Sequence, residues 1–352
     1  MIVDAHLDLA YNALEHKRDL FVSLDALRES EQKRPCREGI ATVTFPELRK
    51  GKVGLVFATL FAIPIKAAEP LDQLVYKDAD GAYALALQQL DYYKRIVDEN
   101  RSLRLVTDKD SLTEVIEGQE GARPLIGLVP LMEGADSVRD PAELEEWWER
   151  GLRLIGPAWD DTRYAAGAWR GAQDGFSKDG YALLEIMADI GYILDLTHLS
   201  EQAVFEALER YEGHMVATHA NSRVLAPHVA QRNLNDQQIR LLAERGGVIG
   251  VVLYNRFIKK GYAKGDRKET VTVADVVAHI DHICQLTGSA DHVGIGSDFD
   301  GGFGYKDIPA EMNSVADLGK IGEGLKERGY ESAYIDQILG ENWINLLRKA
   351  WE

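Results

Sequence analysis

The chain has 352 residues, is 45% hydrophobic and carries a formal charge of -17. That is enough apolar material for a large core, and the charge argues against nucleic acid or an anionic membrane surface as partners. Cys36 and Cys284 are far apart and form no cysteine-rich metal motif, so a reduced, cytoplasmic protein is expected.

The first candidate strand is immediate, at residues 2–8 (I-V-D-A-H-L-D), with no basic stretch and apolar signal core before it. Residues 17–50 are charged, contain Pro35 and Pro46, and read as an insertion after that strand. Further strands are expected at 53–63, 124–132, 152–158, 192–198, 214–219, 247–254 and 292–298. They are rich in Val, Ile and Leu and often apolar on both faces, as buried parallel strands are. Helical periodicity runs through 81–98, 178–190, 201–211, 236–245 and 272–286, with Ser200 and Asn235 as N-caps. Residues 313–352 add helices after the last strand. No run approaches the ~20 apolar residues of a membrane span. Repeated strand–helix alternation predicts an α/β fold, a TIM-like (β/α)8 barrel with additional C-terminal helices, as one domain over 1–352. The alternative, an open doubly wound sheet, lacks a G-x-G-x-x-G after its first strand.

Six polar residues stand at or just past the ends of these runs: His6, Asp8, Glu133, His198, His219 and Asp298. In a barrel the strand ends share one mouth, so residues distant in sequence converge there. His6 and Asp8 are two apart and point to one side, where they can clasp one ion. His198 and His219 end consecutive strands and can clasp a second. Glu133 has two oxygens and can bridge, and Asp298 is left to move a proton. Imidazole plus carboxylate suits zinc, and two ions ~3.5–4 Å apart can share a hydroxide and polarise a carbonyl.

Taken singly, each residue has a plainer explanation. H-x-D is a weak motif, Glu133 before Gly134 can cap a helix, and Asp298 in S-D-F-D-G can form a turn. The combination on five strand ends outweighs these. Of the other histidines, His279 and His282 read as an ordinary amphipathic surface, and His214 and His292 precede strands at the opposite end. His16 and His228 are left open, with His228 nearer the mouth.

The motifs resemble the membrane (renal) dipeptidase family, peptidase family M19, of the amidohydrolase superfamily. D-A-H-L-D-L-A resembles that family's opening, and L-M-E-G its bridging-glutamate segment. L-D-L-T-H-L-S with A-T-H-A-N-S-R resembles its paired histidines, and A-Q-R-N-L-N-D and D-H-V-G-I-G-S-D-F-D-G two further stretches. G-E-N-W-I-N-L-L resembles its closing region, although Leu346 or Leu347 stands where a basic residue is often seen.

The resemblance implies two divalent ions, zinc foremost. His6 and Asp8 would hold one, His198 and His219 the other, with Glu133 between and Asp298 as proton carrier. Arg232 would meet the carboxylate of a dipeptide, for which a planar guanidinium is suited; its plainer reading is an ion pair with Asp236. One departure stands out. Trp159 occupies about the position where many members carry a histidine after strand four, and Asp160, Asp161, Arg163 or Tyr164 are candidates to replace it.

The expectation is a zinc-dependent dipeptidase acting on a small-molecule substrate, a dipeptide that can carry a C-terminal D-residue. Neither nucleic acid nor membrane is expected as partner, and a homodimer is left open. The rivals are an amidohydrolase acting on a non-peptide acyl-amide or cyclic amide or ester, and a catalytically silent metal-binding scaffold.

Overall fold

The computed structural model describes residues 1–121, 124–169, 174–229 and 231–352. Eight parallel strands follow one another around a ring: β1 (Ile2–Leu7), β2 (Val53–Phe61), β3 (Ile126–Glu133), β4 (Leu154–Gly156), β5 (Ile193–Asp195), β6 (Met215–Val216), β7 (Ile249–Val251) and β8 (Val293–Ile295). β8 pairs with β1, and a bridge between Ala217 and Ile249 joins β6 to β7, so the ring is nearly closed. This is the expected (β/α)8 architecture. The regular strands are mostly shorter than their apolar runs. Asp8, His198, His219 and Asp298 therefore lie just beyond the last laddered residue, where the backbone is free to turn.

The five expected helices are present, at Ala79–Glu99, Lys178–Ile190, Glu201–Arg210, Asp236–Glu244 and Val273–Thr287. Ser200 caps the third through Ala203 N, and Asn235 forms a capping box with Gln238 on the fourth. Their apolar stripes cover the outside of the barrel, where Leu90, Ile96, Leu183 and Met187 belong to one core with Ile2, Val56, Leu128 and Ile155. No described helix is long and apolar enough to cross a membrane.

The interior forms a second core, with Val3, Ala5, Leu55, Phe57, Val129, Leu131, Leu154, Ile193 and Val216 around Trp343 and Leu347. The helix Asn342–Ala350 carries both of the latter residues. Trp343 is fully buried and donates from Nε1 to the Ile295 carbonyl at 3.1 Å. A Cβ on Gly294 would lie 2.2 Å from that indole nitrogen, so β8 accepts the plug only with glycine there. Leu346 and Leu347 are buried in the same packing, which explains an apolar pair at this point.

β1 is not regular. Between Asp4 and Leu7 it takes three steps while its partner β2 takes two, from Val56 to Ala58. Val3 and Ala5 face the interior before this bulge, and Leu7 packs in the outer core after it. The bulge changes the parity of the strand and turns His6 and Asp8 inward. Asp4, at its start, takes Ser297 N at 2.7 Å and Ser297 Oγ at 2.5 Å, fastening β1 to the segment after β8.

The segment read as an insertion forms two helices, Leu24–Lys33 and Phe45–Lys50, capped by Ser23 and Thr44. It is bolted to the segment after the neighbouring β8 by Asp300. That carboxylate accepts from Thr42 N, Thr42 Oγ1 and Val43 N at 2.7–3.0 Å, with Arg18 Nη1 at 3.4 Å. Several elements have no counterpart in the expected ones, among them the helix Lys109–Glu117. Leu103–Leu105 pairs with the start of β3, and Ile63–Pro64 pairs with Val75–Tyr76 in a small separate sheet.

Candidate metal centre

The six expected residues meet at the C-terminal mouth of the barrel, all at most 8% exposed. Glu133 ends β3 and sits between two groups. Its Oε2 is 3.7 Å from His6 Nε2, while its Oε1 is 3.1 Å from His198 Nε2 and 3.5 Å from His219 Nε2. On the first side, His6 Nε2 also has Asp8 Oδ1 at 3.8 Å and Asp298 Oδ1 at 4.0 Å. On the second, the two histidine Nε2 atoms are 3.0 Å apart. His6–Asp8–Asp298 and Glu133–His198–His219 each have ligand atoms close enough to share one ion. The helix-cap reading of Glu133 is not realised, since the short helix Ala135–Ser137 has no side-chain cap.

His198 and Asp298 adopt left-handed backbone conformations, with φ of 68° and 58°. Neither is glycine, and such strain persists only where the surroundings enforce it. The tight turn directs both side chains back over the mouth instead of along the strands.

The second coordination layer was hidden in the apolar runs. Asp195 closes β5, and Thr218 precedes His219. The Thr218 hydroxyl donates to Asp195 Oδ2 at 2.5 Å and lies 3.0 Å from His219 Nδ1 and 3.4 Å from His6 Nδ1. His6, Asp195 and His219 also form a candidate ion group, but the Thr218 hydroxyl contacts all three and fills that place. Asp195 Oδ1 accepts from Thr197 N and Thr218 N at 3.0 and 2.9 Å. Asp8 is held by the Thr59 hydroxyl. The only hint in sequence is the placement of L-D-L-T-H and A-T-H, with a polar residue inside each apolar strand.

The electrostatics call for positive charge. Three buried carboxylates, Asp8, Glu133 and Asp298, surround one imidazole nitrogen. Burial pushes Asp298 well above the usual carboxylate range, and Asp8 and Glu133 push the same way against His6 and Arg232. Burial, with Glu133 adding, raises Asp8 to about 7. Burial would lower His6, but Glu133, Asp8 and Asp298 hold it up at about 10. Burial and Arg232 lower His198 to about 4, leaving a neutral ring suited to ligation. His6 Nε2 and His198 Nδ1 have no hydrogen-bond partner among the described residues. Buried anions and bare imidazole nitrogens fit divalent cations, whose charge would relieve the carboxylate repulsion.

Above this centre is a cavity of about 450 Å³. Arg232 lines it and is 3% exposed. Its Nη1 donates to the His219 carbonyl at 2.8 Å, its guanidinium lies 5.0 Å from the Phe257 ring centre, and Nε and Nη2 have no hydrogen-bond partner among the described residues. Burial lowers it to about 10. The expected plainer alternative does not form: Asp236 pairs instead with His282 at 2.8 Å.

Trp159 is half-buried in the cavity wall, its ring 5.0 Å from that of Phe61 and 6.3 Å from that of His198. Of the candidate replacements for the family histidine, Asp160 lines the cavity, with its Oδ1 accepting from Asp161 N at 2.9 Å, and the other three do not line it. Asp161 Oδ1 accepts from Gly167 N, and Arg163 and Tyr164 both bind the Val138 carbonyl. Asp300 cannot stand in for Asp298, because its carboxylate is consumed by Thr42 and Val43.

The remaining histidines divide. His279 corrects the sequence reading: it is fully buried, Nδ1 accepts from Ser222 N at 3.1 Å, and Nε2 lies 2.8 Å from the Ile258 carbonyl. It is a core residue, since both ring nitrogens are satisfied. His292, near the start of β8, contacts the Gly247 carbonyl at 3.0 Å, away from the mouth. His16 pairs with Glu38 at 2.7 Å. His228 lies in the short helix Pro227–Val229, beside Arg232 and Trp169 but not in the main cavity.

Comparison with known proteins places the chain. The family model of membrane dipeptidase, peptidase family M19, matches residues 1–352. A Klebsiella pneumoniae protein described only as uncharacterized, from the pqqA 5' region, is 31% identical over 236 residues, covering 65% of this chain and 83% of that protein. An uncharacterized dipeptidase of Schizosaccharomyces pombe is 28% identical over 316 residues, covering 87% of this chain and 70% of its own. A Rhodobacter sphaeroides metallopeptidase, solved with a phosphinate mimic of the dipeptide L-Ala-D-Ala, has the same fold with TM-score 0.79 and 23% identity over 99% of both chains. A second solved peptidase, of family M19, gives TM-score 0.80 and 24% identity over 99% of this chain and 98% of its own. Matched from its first residue to its last, and folded as these peptidases are, the chain belongs to the membrane dipeptidase family, peptidase family M19.

Proposed function

We propose that this protein is a zinc-dependent dipeptidase with two ions, acting on dipeptides that include those with a C-terminal D-residue. His6 and Asp8 would hold one ion and His198 and His219 the other, with Glu133 offering one oxygen to each group. The observation that carries this reading is the division of Glu133, one oxygen toward His6 and the other toward His198 and His219. When bound, the two ions supply Lewis-acid polarisation of the scissile carbonyl and activation of the attacking water.

The chain's own residues do the rest. Arg232 anchors the substrate carboxylate through its free Nε and Nη2, while its bond to the His219 carbonyl fixes the guanidinium beside the His198–His219 pair. Asp298 accepts the proton of the attacking water and delivers it to the leaving nitrogen. Its left-handed turn keeps that carboxylate over His6. Thr218 and Asp195 orient two ligand rings from behind. The catalytically silent scaffold is disfavoured because it gives no use to Asp298 or to the unpaired guanidinium.

The test uses metal analysis and paired substrates. Purified protein should hold about two divalent ions per chain. Chelation should abolish dipeptide hydrolysis, and zinc should restore it. Arg232→Met should lower kcat/KM for free dipeptides by roughly 10–150-fold and hardly change amidated ones. Equal cleavage of free and amidated dipeptides, indifferent to Arg232→Met, would sink the dipeptidase reading and favour a non-peptide amide substrate. Trp159 is the feature that favours this second reading.

A further inference from the structure

The cavity has two unlike sides. Arg232 follows β6 and Tyr254, Arg256 and Phe257 follow β7, giving one side guanidinium groups with aromatic backing. Across the ring, Tyr11 follows β1, Phe61 ends β2, Ile63 is just beyond it, and Trp159 follows β4. In the strand order β2 is four places from β6, so it faces β6 across the mouth with the candidate metal centre between.

These four residues line the cavity and pack as one largely apolar surface, beside which Arg37, paired with Glu69 and Asp72, also lines it. The Tyr11 and Phe61 ring centres are 5.1 Å apart, and those of Phe61 and Trp159 are 5.0 Å apart. The rings are tilted or edge-on, which is favourable aromatic packing. Tyr11, Phe61, Ile63 and Leu74 form a small cluster of their own, separate from both main cores, with Trp159 packed on its edge. Tyr11, Phe61 and Ile63 are each under 8% exposed, so the wall is fixed before any ligand arrives. A preformed apolar wall beside a reacting centre contributes affinity when an apolar substrate group covers it.

We propose that this wall is the seat for the side chain of the substrate residue on the amino side of the scissile bond, and that it selects a bulky apolar or aromatic one. The inference rests on the dipeptidase reading. With the carboxylate held at Arg232 and the scissile carbonyl at the metal centre, the amino-terminal residue extends across the mouth. It reaches the β1–β2–β4 side, where Tyr11, Phe61, Ile63 and Trp159 stand. Trp159 is thereby a specificity-determining residue: its indole completes the wall next to His198.

The experiment measures kcat/KM of the zinc-loaded full chain on two dipeptide series. In one, the carboxyl-terminal residue is alanine and the amino-terminal residue is Gly, Ala, Leu or Phe. In the other, the amino-terminal residue is alanine and the carboxyl-terminal residue varies in the same way. Expected is a rise of about 10–100-fold from Gly to Leu or Phe in the first series, and a smaller spread in the second. Trp159→Ala and, separately, Phe61→Leu should compress the Phe-to-Gly ratio of the first series, the former by about 10-fold. A first series flat within about 3-fold, a larger spread in the second, or an unchanged ratio in both variants overturns the inference while leaving the dipeptidase reading standing. Absence of cleavage in both series overturns the dipeptidase reading and this inference with it.

Discussion

At the end of the barrel where the strands begin, Val3, Leu55, Phe57 and Val216 close on Trp343. Where they finish, Asp8, Glu133 and Asp298 crowd one imidazole nitrogen. In the lower packing the plug's indole N–H is satisfied by the Ile295 carbonyl. The upper end retains bare ring nitrogens, an under-bonded guanidinium and two strained backbone turns. Stability resides in the first region. The second gives up stability to hold charge and geometry that only a cation and a substrate complete.

Substitutions at the two ends should therefore have opposite signatures. The largest effect is expected for Asp298→Asn, with kcat falling ~10²–10⁴-fold. The metal-free protein should unfold at an equal or higher temperature, because one of three mutually repelling carboxylates is gone. A clear fall in its melting temperature would contradict the claim that this end is held at a cost to stability. Trp343→Ala should do the reverse. Losing the plug costs about 3–5 kcal/mol in denaturant unfolding, while the molecules that remain folded keep their metal content and turnover per site.

Thr218→Val sharpens the boundary between the regions, since it alters neither a ligand nor the plug. Removing the hydroxyl that contacts His6, His219 and Asp195 should weaken metal retention ~10–100-fold in chelator competition, for both ions together. Thr218→Ser should recover most of it. Loss of one ion alone would show that the hydroxyl serves a single ring. The smallest effect belongs to a site at neither end. Asn235→Ala removes an N-cap on the outer helix Asp236–Glu244 and should cost about 1 kcal/mol, with no change in metal content or turnover.

The same contrast explains what could be read from the chain. The barrel was legible because its walls are apolar runs in regular alternation with helices. The six residues of the mouth were legible because polar residues at the ends of such runs stand out. Four things were not. The change of parity in β1 leaves no mark, as I-V-D-A-H-L-D looks like an unbroken strand whether or not it bulges. Asp195 and Thr218 lie inside buried runs, where single polar residues signal nothing until their partners from neighbouring strands are known. His279 has the spacing of a surface helix residue, but its burial depends on Ser222 and Ile258, contributed by distant segments. Asp300, two residues from Asp298 in the same turn-forming motif, is separated from it in role only by where the 17–50 segment folds.

The plug also sets an order of events. Trp343 comes after all eight strands in the chain, so a ribosome delivers every wall of the barrel before the residue that fills it. Until then the interior faces of β1, β2 and β3 have no indole to close on. The candidate metal residues emerge earlier, His6 first and Asp298 last. Ions could gather the upper rim during synthesis, leaving the helix Asn342–Ala350 to lock the lower one.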